Sequence, residues 1–345
     1  MIAQMTTTAK ERLALVTGSA GFIGFHLCQS LLAAGWRVIG IDNLSPYYDV
    51  KLKQDRQEIL TRNPRFSAIL GDIADQGQMM DLFAAHRPQV VVHLAAQAGV
   101  RYSIDQPRSY LTANICGTFE LLEAARAHPP AHMLLASTSS VYGASESIPF
   151  VETSQTDHPL SFYAATKKAG EAMAHSYAHL YDLPITMFRF FTVYGPWGRP
   201  DMALHKFTKA ILQGSPIDVY NQGQMRRDFT YIDDLVSAIC RLMDVVPDTK
   251  PRQPIPGDSL SPIAPFRIVN IGNSVAVPLM EFIAAIELAT GRKAVCNMLP
   301  MQAGDVPQTW ADASLLQALI GDLSHSQIKD GIAQFVAWYR DYYRH

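Results

Sequence analysis

Short β-branched runs alternate with segments of helical period through the first half of the chain. Positions 13–17 predict a buried strand, 22–34 a helix ended by Gly35, and 37–41 a second strand closing in Asp42. The rhythm continues with a strand at 66–70, a helix at 76–86 and a strand at 90–94. A long helix is expected over 110–127, then a strand at 133–137, a helix at 162–181 and a strand at 185–190. Strands alternating with helices are βαβ units, which place parallel strands under helices on both faces. Right-handed crossovers then lead to an α/β fold built on a doubly wound parallel sheet.

Beyond Phe191 the rhythm changes to short segments rich in Gly and Pro, and a proline-rich stretch fills 247–265. That stretch reads as a surface loop, because regular patterning resumes at Arg267 and two helical patterns follow at 279–290 and 328–343. The expected organisation is a dinucleotide-binding domain over 10–190 and a smaller C-terminal substrate-binding lobe over 191–345, interleaved with the first.

Composition narrows the class. The 345 residues are 48% hydrophobic and 17% charged, which excludes disordered, collagen-like and coiled-coil chains. Lys plus Arg total 29 against 31 Asp plus Glu, a net charge of -2, so broad electrostatic capture of nucleic acid is not expected. Cys28, Cys116, Cys240 and Cys296 are scattered without a CxxC pair, which disfavours a disulfide framework or a metal site and fits a reducing compartment. The first twelve residues are polar and threonine-rich, unlike a signal peptide, and no apolar run approaches the ~20 residues of a membrane span. A cytoplasmic protein without membrane contact is expected.

Two constellations carry chemistry. Gly18, Gly21 and Gly24, with Phe22 and Ile23 between them, join the first strand to the first helix. Glycines there allow a tight turn, and let backbone N–H groups and the helix N-terminus approach a pyrophosphate. Alone, such a pattern is as well a turn as a site; the strand before it, the helix after it and Asp42 about 20 residues on give it meaning. The Asp42 carboxylate suits a ribose 2′-hydroxyl and repels a 2′-phosphate, which favours NAD over NADP. The second constellation is Tyr163 with Lys167, four apart on one helical face. A lysine ammonium beside the phenol would lower its pKa and fit Tyr163 for acid–base work. Most isolated YxxxK pairs are surface features. Here Ser137, Thr138, Ser139 and Ser140 end the preceding strand, where hydroxyls point into the ligand crevice of a Rossmann-like fold.

The GxxGxxG spacing, with Thr138, Tyr163 and Lys167 in chain order, resembles the short-chain dehydrogenase/reductase superfamily. That resemblance implies cofactor contacts from Asn43, from Asp72 and Ile73 after the third strand, and from Leu94, Ala95 and Ala96 after the fourth. It further implies a homodimer formed by the long helices near 110–127 and 162–181. Phe190–Pro196 and Arg226-Arg227-Asp228-Phe229 followed by Ile232-Asp233-Asp234 resemble the extended branch acting on nucleotide sugars. By that resemblance Arg227 grips the UDP phosphates, and Gln302, Gly304 and Asp305 close over the nucleoside.

Within that branch the chain resembles the UDP-glucuronate 4-epimerases. The likeness rests on 42–50, 98–103 with Arg101, 195–202, the proline-rich insertion and the ending Trp338–Tyr343. Related UDP-glucuronate decarboxylases carry an acidic residue where Ser140 stands. Serine can donate to a uronate carboxylate that a glutamate would repel, so Ser139, Ser140, Thr192 and Arg199 are the expected carboxylate contacts. The resemblance implies that Tyr163 takes the sugar 4-hydroxyl proton while NAD accepts the C4 hydride, and that hydride returns to the other face. UDP-glucuronate and UDP-galacturonate are then substrate and product. A broad UDP-hexose 4-epimerase, a UDP-glucuronate decarboxylase and a non-catalytic NAD-binding scaffold remain the alternatives.

Overall fold

The computed structural model describes residues 12–248, 255–302, 305–323 and 325–344. The polar start of the chain up to residue 11, positions 249–254 of the proline-rich stretch, and Gly304 lie outside the described residues. Strands β1 (Leu13–Thr17), β2 (Arg37–Asp42), β3 (Phe66–Leu70), β4 (Val90–His93), β5 (His132–Thr138) and β6 (Ile185–Phe190) follow the expected rhythm. After them come β7 (Thr192–Tyr194), β8 (Ile217–Val219), β9 (Arg226–Tyr231), β10 (Phe266–Ile271), β11 (Ala276–Pro278) and β12 (Cys296–Met298). The helices of the first half are α1 (Phe22–Ala33), α2 (Val50–Thr61), α3 (Gln78–His86), α4 (Tyr102–Asp105), α5 (Pro107–Tyr110), α6 (Gly117–Ala127) and α7 (Phe162–Tyr181). The second half adds α8 (Ala203–Gln213), α9 (Ile232–Leu242), α10 (Leu279–Thr290), α11 (Ser314–Ile320) and α12 (Ile328–Tyr343).

Seven parallel strands form the main sheet in the order β10-β6-β5-β4-β1-β2-β3. The winding reverses between β1 and β4, and the crevice at their carboxyl ends is where such sheets bind ligands. One face of the sheet is covered by α3, α6 and α7, which bury Phe83, Leu121, Leu122 and Ala178. The other is covered by α1, and its core runs on without a break through Ile239 of α9, Phe282 of α10 and Phe335 of α12. A shared core therefore fixes the C-terminal elements against the sheet, burying apolar surface on both sides of the crevice.

Three features go beyond the expected pattern. The part of the chain after residue 190, expected to interleave with the first, sends β10 back into the main sheet, where it pairs with β6 in register Phe266–Ile185 through Ile271–Phe190. The expected helix 110–127 is interrupted by a widened π turn at Leu111–Cys116. The extra residue aims Asn114 at the loop after β4, where its amide pairs with Gln97 N (2.9 Å) and Gln97 O (3.0 Å) and donates to Thr166 Oγ1 (3.0 Å). Finally, α2 stands where no helix was expected. It starts at Asp49, whose carboxylate accepts from Lys51 N, and it buries two cations, Lys53 and Arg56, among its apolar residues.

Candidate active site

A cavity of about 450 Å³ opens along the carboxyl ends of β1, β2, β4 and β5. At the end of β1, Thr17 Oγ1 accepts the amides of Leu94 and Ala95, both at 3.1 Å. With its oxygen so occupied, the Thr17 hydroxyl donates to His93 Nδ1 at 2.8 Å. Burial pushes His93 down to about 3, so the ring is neutral and free to accept that bond. This clamp ties the end of β4 to the glycine turn.

The turn itself leaves no room for side chains. Gly18 has φ +70°, and a Cβ there would lie 2.8 Å from Ala95 N; one on Gly24 would lie 2.1 Å from Gly18 O. Gly21 starts α1 with no side-chain cap, and the first turn of α1 holds no acidic residue. Its N–H groups and the positive end of its dipole are left for an anion at the cavity. Gly18, Gly21, Phe22, Ile23 and Gly24 all line the cavity, as expected. Asp42 ends β2 there, its two oxygens accepting Ala20 N (3.0 Å) and Leu44 N (2.8 Å), which holds the carboxylate still. Asn43 donates to Asp72 at 2.8 Å, and these two with Ile73 form the adjoining wall. Leu94, Ala95 and Ala96 complete it. A bare, uncapped helix N-terminus, a side-chain-free turn and a fixed carboxylate fit a dinucleotide.

At the other end lie Thr138, Ser139, Ser140, Tyr163, Lys167, Thr192 and Arg199. Thr138 Oγ1 accepts from Ser140 N (3.2 Å) and hydrogen-bonds the Tyr163 hydroxyl. Lys167 Nζ is buried, donates to Ala136 O at 2.8 Å, and is pushed down to about 8 by loss of solvation. The expected pKa effect on Tyr163 is corrected. Burial raises this phenol above its ordinary value, and the bond to Thr138 and the charge of Arg199 oppose the rise. Lys167 anchors to the backbone of β5 through one of its three N–H donors, and Arg199 is a second cation acting on the phenol.

Arg199 is no surface ion pair. Its Nε and Nη2 donate to Asp201 at 3.0 and 2.6 Å. Tyr47 donates to the same Asp201 at 3.1 Å, and the Arg199 guanidinium lies 5.7 Å from the Tyr47 ring centre. Beneath the site a buried bidentate pair joins Arg189 of β6 to Glu171 of α7, both bonds at 2.9 Å, and Ser137 donates to the same carboxylate at 2.6 Å. This pair fixes α7, and Tyr163 with it, against β5 and β6.

Four expected residues stand apart. Arg101 pairs with Asp305 at 3.0 Å over the Tyr220 ring, and Arg227 donates to Pro307 O at 3.2 Å. Burial lowers Arg227, and the nearby Asp305 charge opposes it. Gln302 Oε1 is buried with no partner among the described residues. None of the four lines the cavity; they form a second cluster in which Arg101, at the start of α4, meets Asp305 and its neighbour Arg227 from the C-terminal half. Sequence reasoning missed Tyr47, Tyr48 and Lys53 as cavity residues, since they precede or belong to the unforeseen α2. Lys53 donates to Ser45 O and Oγ at 2.8 and 3.0 Å. Asp49, four residues before it, was the capping signal available.

A dinucleotide cradle that ends in a hydroxyl, a buried phenol and a buried ammonium defines an enzyme of nicotinamide-dependent hydride chemistry. The chain belongs to the NAD dependent epimerase/dehydratase family, whose profile matches residues 14–255. It is 53% identical to a probable UDP-glucuronate 4-epimerase of Rhizobium meliloti over 96% of this chain and 97% of that protein. The crystal structure of a UDP-glucuronic acid 4-epimerase from Bacillus cereus, in complex with UDP-glucuronic acid and NAD, superposes with a TM-score of 0.86 at 34% identity. That match covers 96% of this chain and all of the other. A tyrosine-to-phenylalanine variant of the same enzyme, bound to UDP-4-deoxy-4-fluoro-glucuronic acid and NAD, matches with the same score, identity and coverage.

Proposed function

We propose that the protein inverts C4 of UDP-glucuronate to give UDP-galacturonate. The observation that carries this reading is the gathering of one arginine and three hydroxyls, Arg199 with Ser139, Ser140 and Thr192, at the cavity end that holds Tyr163. A neutral sugar has no use for an arginine there; a uronate carboxylate does. The resemblance to UDP-glucuronate 4-epimerases across nearly the whole chain supports the same substrate.

NAD held along the glycine turn supplies the hydride acceptor and donor at C4. Tyr163 accepts the 4-hydroxyl proton, and Thr138 orients both oxygens. The buried Lys167 holds the site's geometry through Ala136 and keeps positive charge near the reacting end. Rotation of the 4-keto sugar about its phosphate link presents its other face, and Tyr163 returns the proton there. A 4-keto uronate is a β-keto acid, which loses CO2 when its carboxylate bond lies parallel to the carbonyl π orbitals. Arg199 and the three hydroxyls hold that bond out of alignment, a positioning effect. Arg227, Arg101, Gln302 and Asp305 form the nucleotide end, with Arg227 on the diphosphate.

The active protein is a cytoplasmic homodimer in this reading. Leu111 and Phe119, with Ile115 between them, put apolar side chains four apart on the outer side of the helix region 111–119, and Leu111 and Phe119 are exposed. Among the described residues no helix is long and apolar enough to cross a membrane.

The test is incubation of the purified protein with UDP-glucuronate, without added cofactor, followed by NMR of the product. UDP-galacturonate is the expected product. Abundant UDP-pentose makes the enzyme a decarboxylase, and equal turnover of UDP-glucose makes it a broad hexose epimerase; either result overturns the proposal.

A further inference from the structure

Arg56 of α2 is fully buried and, among the described residues, has no acidic partner. Its guanidinium instead spans three neutral acceptors. Nη1 donates to Ala20 O in the glycine turn and to Tyr48 Oη, both at 3.0 Å, and Nη2 donates to Trp197 O. Nε is buried without a partner. An uncompensated cation in a protein interior is costly, so its retention calls for a reason beyond packing.

The reason lies at its far end. Trp197 has φ +60°, the left-handed region that a tryptophan rarely occupies, between Gly195 and Gly198, whose N–H closes the turn on Gly195 O at 3.1 Å. A turn in that conformation persists when its surroundings over-determine it. Here they do: His26 of α1 bonds Pro196 O at 3.0 Å, the Trp197 ring packs on Phe25, Trp338 and Tyr342, and Arg56 holds the Trp197 carbonyl. Two residues later the same turn delivers Arg199 to the cavity.

We infer that Arg56 is a positioning residue that sets Arg199. By gripping Ala20 O and Trp197 O with one rigid fork, it locks the dinucleotide turn and the Arg199 turn into a single spatial relation. The uronate carboxylate and the bound dinucleotide are thereby placed relative to each other, and the 4-keto sugar is protected from losing CO2. This inference rests on the reading of Arg199 as the carboxylate contact.

Loss of CO2 breaks the bond from the carboxylate carbon to C5 and leaves its electron pair as an enolate on the 4-keto sugar. Protonation and hydride return then yield a UDP-pentose, so oxidation and reduction cancel within the turnover. The test measures the ratio of UDP-pentose to UDP-galacturonate and the KM for UDP-glucuronate in the holoenzyme. The proteins compared are the wild type, Arg199→Ala, Arg56→Lys, Arg56→Gln and the double variant of Arg199→Ala with Arg56→Lys. Arg199→Ala is expected to raise the ratio about tenfold or more, and Arg56→Lys about threefold or more, since an ångström of misplacement suffices for such factors. The double variant is expected to go no further than Arg199→Ala, because Arg56 acts through Arg199. Arg56→Gln reads the same effect where the lysine variant does not fold.

An unchanged ratio and KM in the Arg56 variants, with only a lower unfolding midpoint, reduces Arg56 to a structural role and overturns the inference. A double variant whose ratio multiplies both single effects does the same. An unchanged ratio and KM in Arg199→Ala strikes instead at the carboxylate reading beneath it.

Discussion

Tyr163 is a phenol whose surroundings pull in opposite directions. Burial raises its pKa, while the Thr138 hydrogen bond and the Arg199 charge bring it back toward the working range. A cavity that also holds a dinucleotide and a charged sugar strips still more water from the hydroxyl, so proton transfer depends on those two partners. Tyr163→Phe removes the proton acceptor and leaves the ring's edge contact with Tyr110, 5.9 Å between centres, intact. The variant is expected to fold and to bind substrate normally, with kcat lowered by about 10²- to 10⁴-fold, the usual worth of a positioned acid–base group. Steady-state kinetics with UDP-glucuronate check it; near-full kcat would remove Tyr163 from the chemistry. At this scale the sequence was informative about identity and silent about electrostatics. Spacing put Tyr163 and Lys167 on one helical face, but only the fold shows that Lys167 is anchored on Ala136 O and that Arg199, 36 positions on, adds its charge.

Elements were legible where burial leaves a clear apolar signal. Helix α7 falls at its expected bounds because its apolar positions repeat at 3.6, and strand β6 does so because it is short, buried throughout and rich in Ile, Met and Phe. Helix α2 was not legible because the face it buries carries Lys53 and Arg56 beside Leu52 and Leu60, which erases the contrast that periodicity reads. The π turn at Leu111–Cys116 was hidden for another reason: Asn114 is aimed by a backbone irregularity, and no residue pattern announces it. The same helices bear a surface whose purpose is open to measurement. Leu111, Phe119, Phe162 and Leu180 are all more than 40% exposed, an unusual concentration for a pair of neighbouring helices. If this face pairs with a second copy, light scattering at micromolar concentration gives twice the chain mass, and Phe119→Glu yields monomers. A wild-type protein of single-chain mass under those conditions would end the dimer reading.

Across the whole molecule, the crevice is assembled from segments distant in sequence, and it is held by buried ion pairs such as Arg189–Glu171 together with imidazoles that burial keeps neutral. The fold class was readable from the alternation of strands and helices. The return of β10 to the main sheet was not, since pairing with β6 is a long-range event that no local pattern specifies. Those long-range contacts bury four imidazoles. His93 is pushed down to about 3, and His26, His132 and His205 to about 4, in each case chiefly by loss of solvation. Unfolding returns them to their ordinary value near 6.5, so between about 4 and 6.5 the unfolded chain binds more protons than the folded one. Stability then falls as pH falls, by about 1.4 kcal/mol per unit for each group. Glu152, raised to about 7, and Asp228, raised to about 6, work the other way, because their folded forms take up protons before the unfolded carboxyls do. Four groups lowered outweigh two raised, and urea unfolding should show the protein less stable at pH 5 than at pH 7 by on the order of 4 kcal/mol. His132→Gln, keeping a side-chain amide near Met243 O and Thr186 Oγ1, should flatten that slope without abolishing it. A stability maximum near pH 5 would mean that the buried carboxyls, not the imidazoles, govern the acid limb.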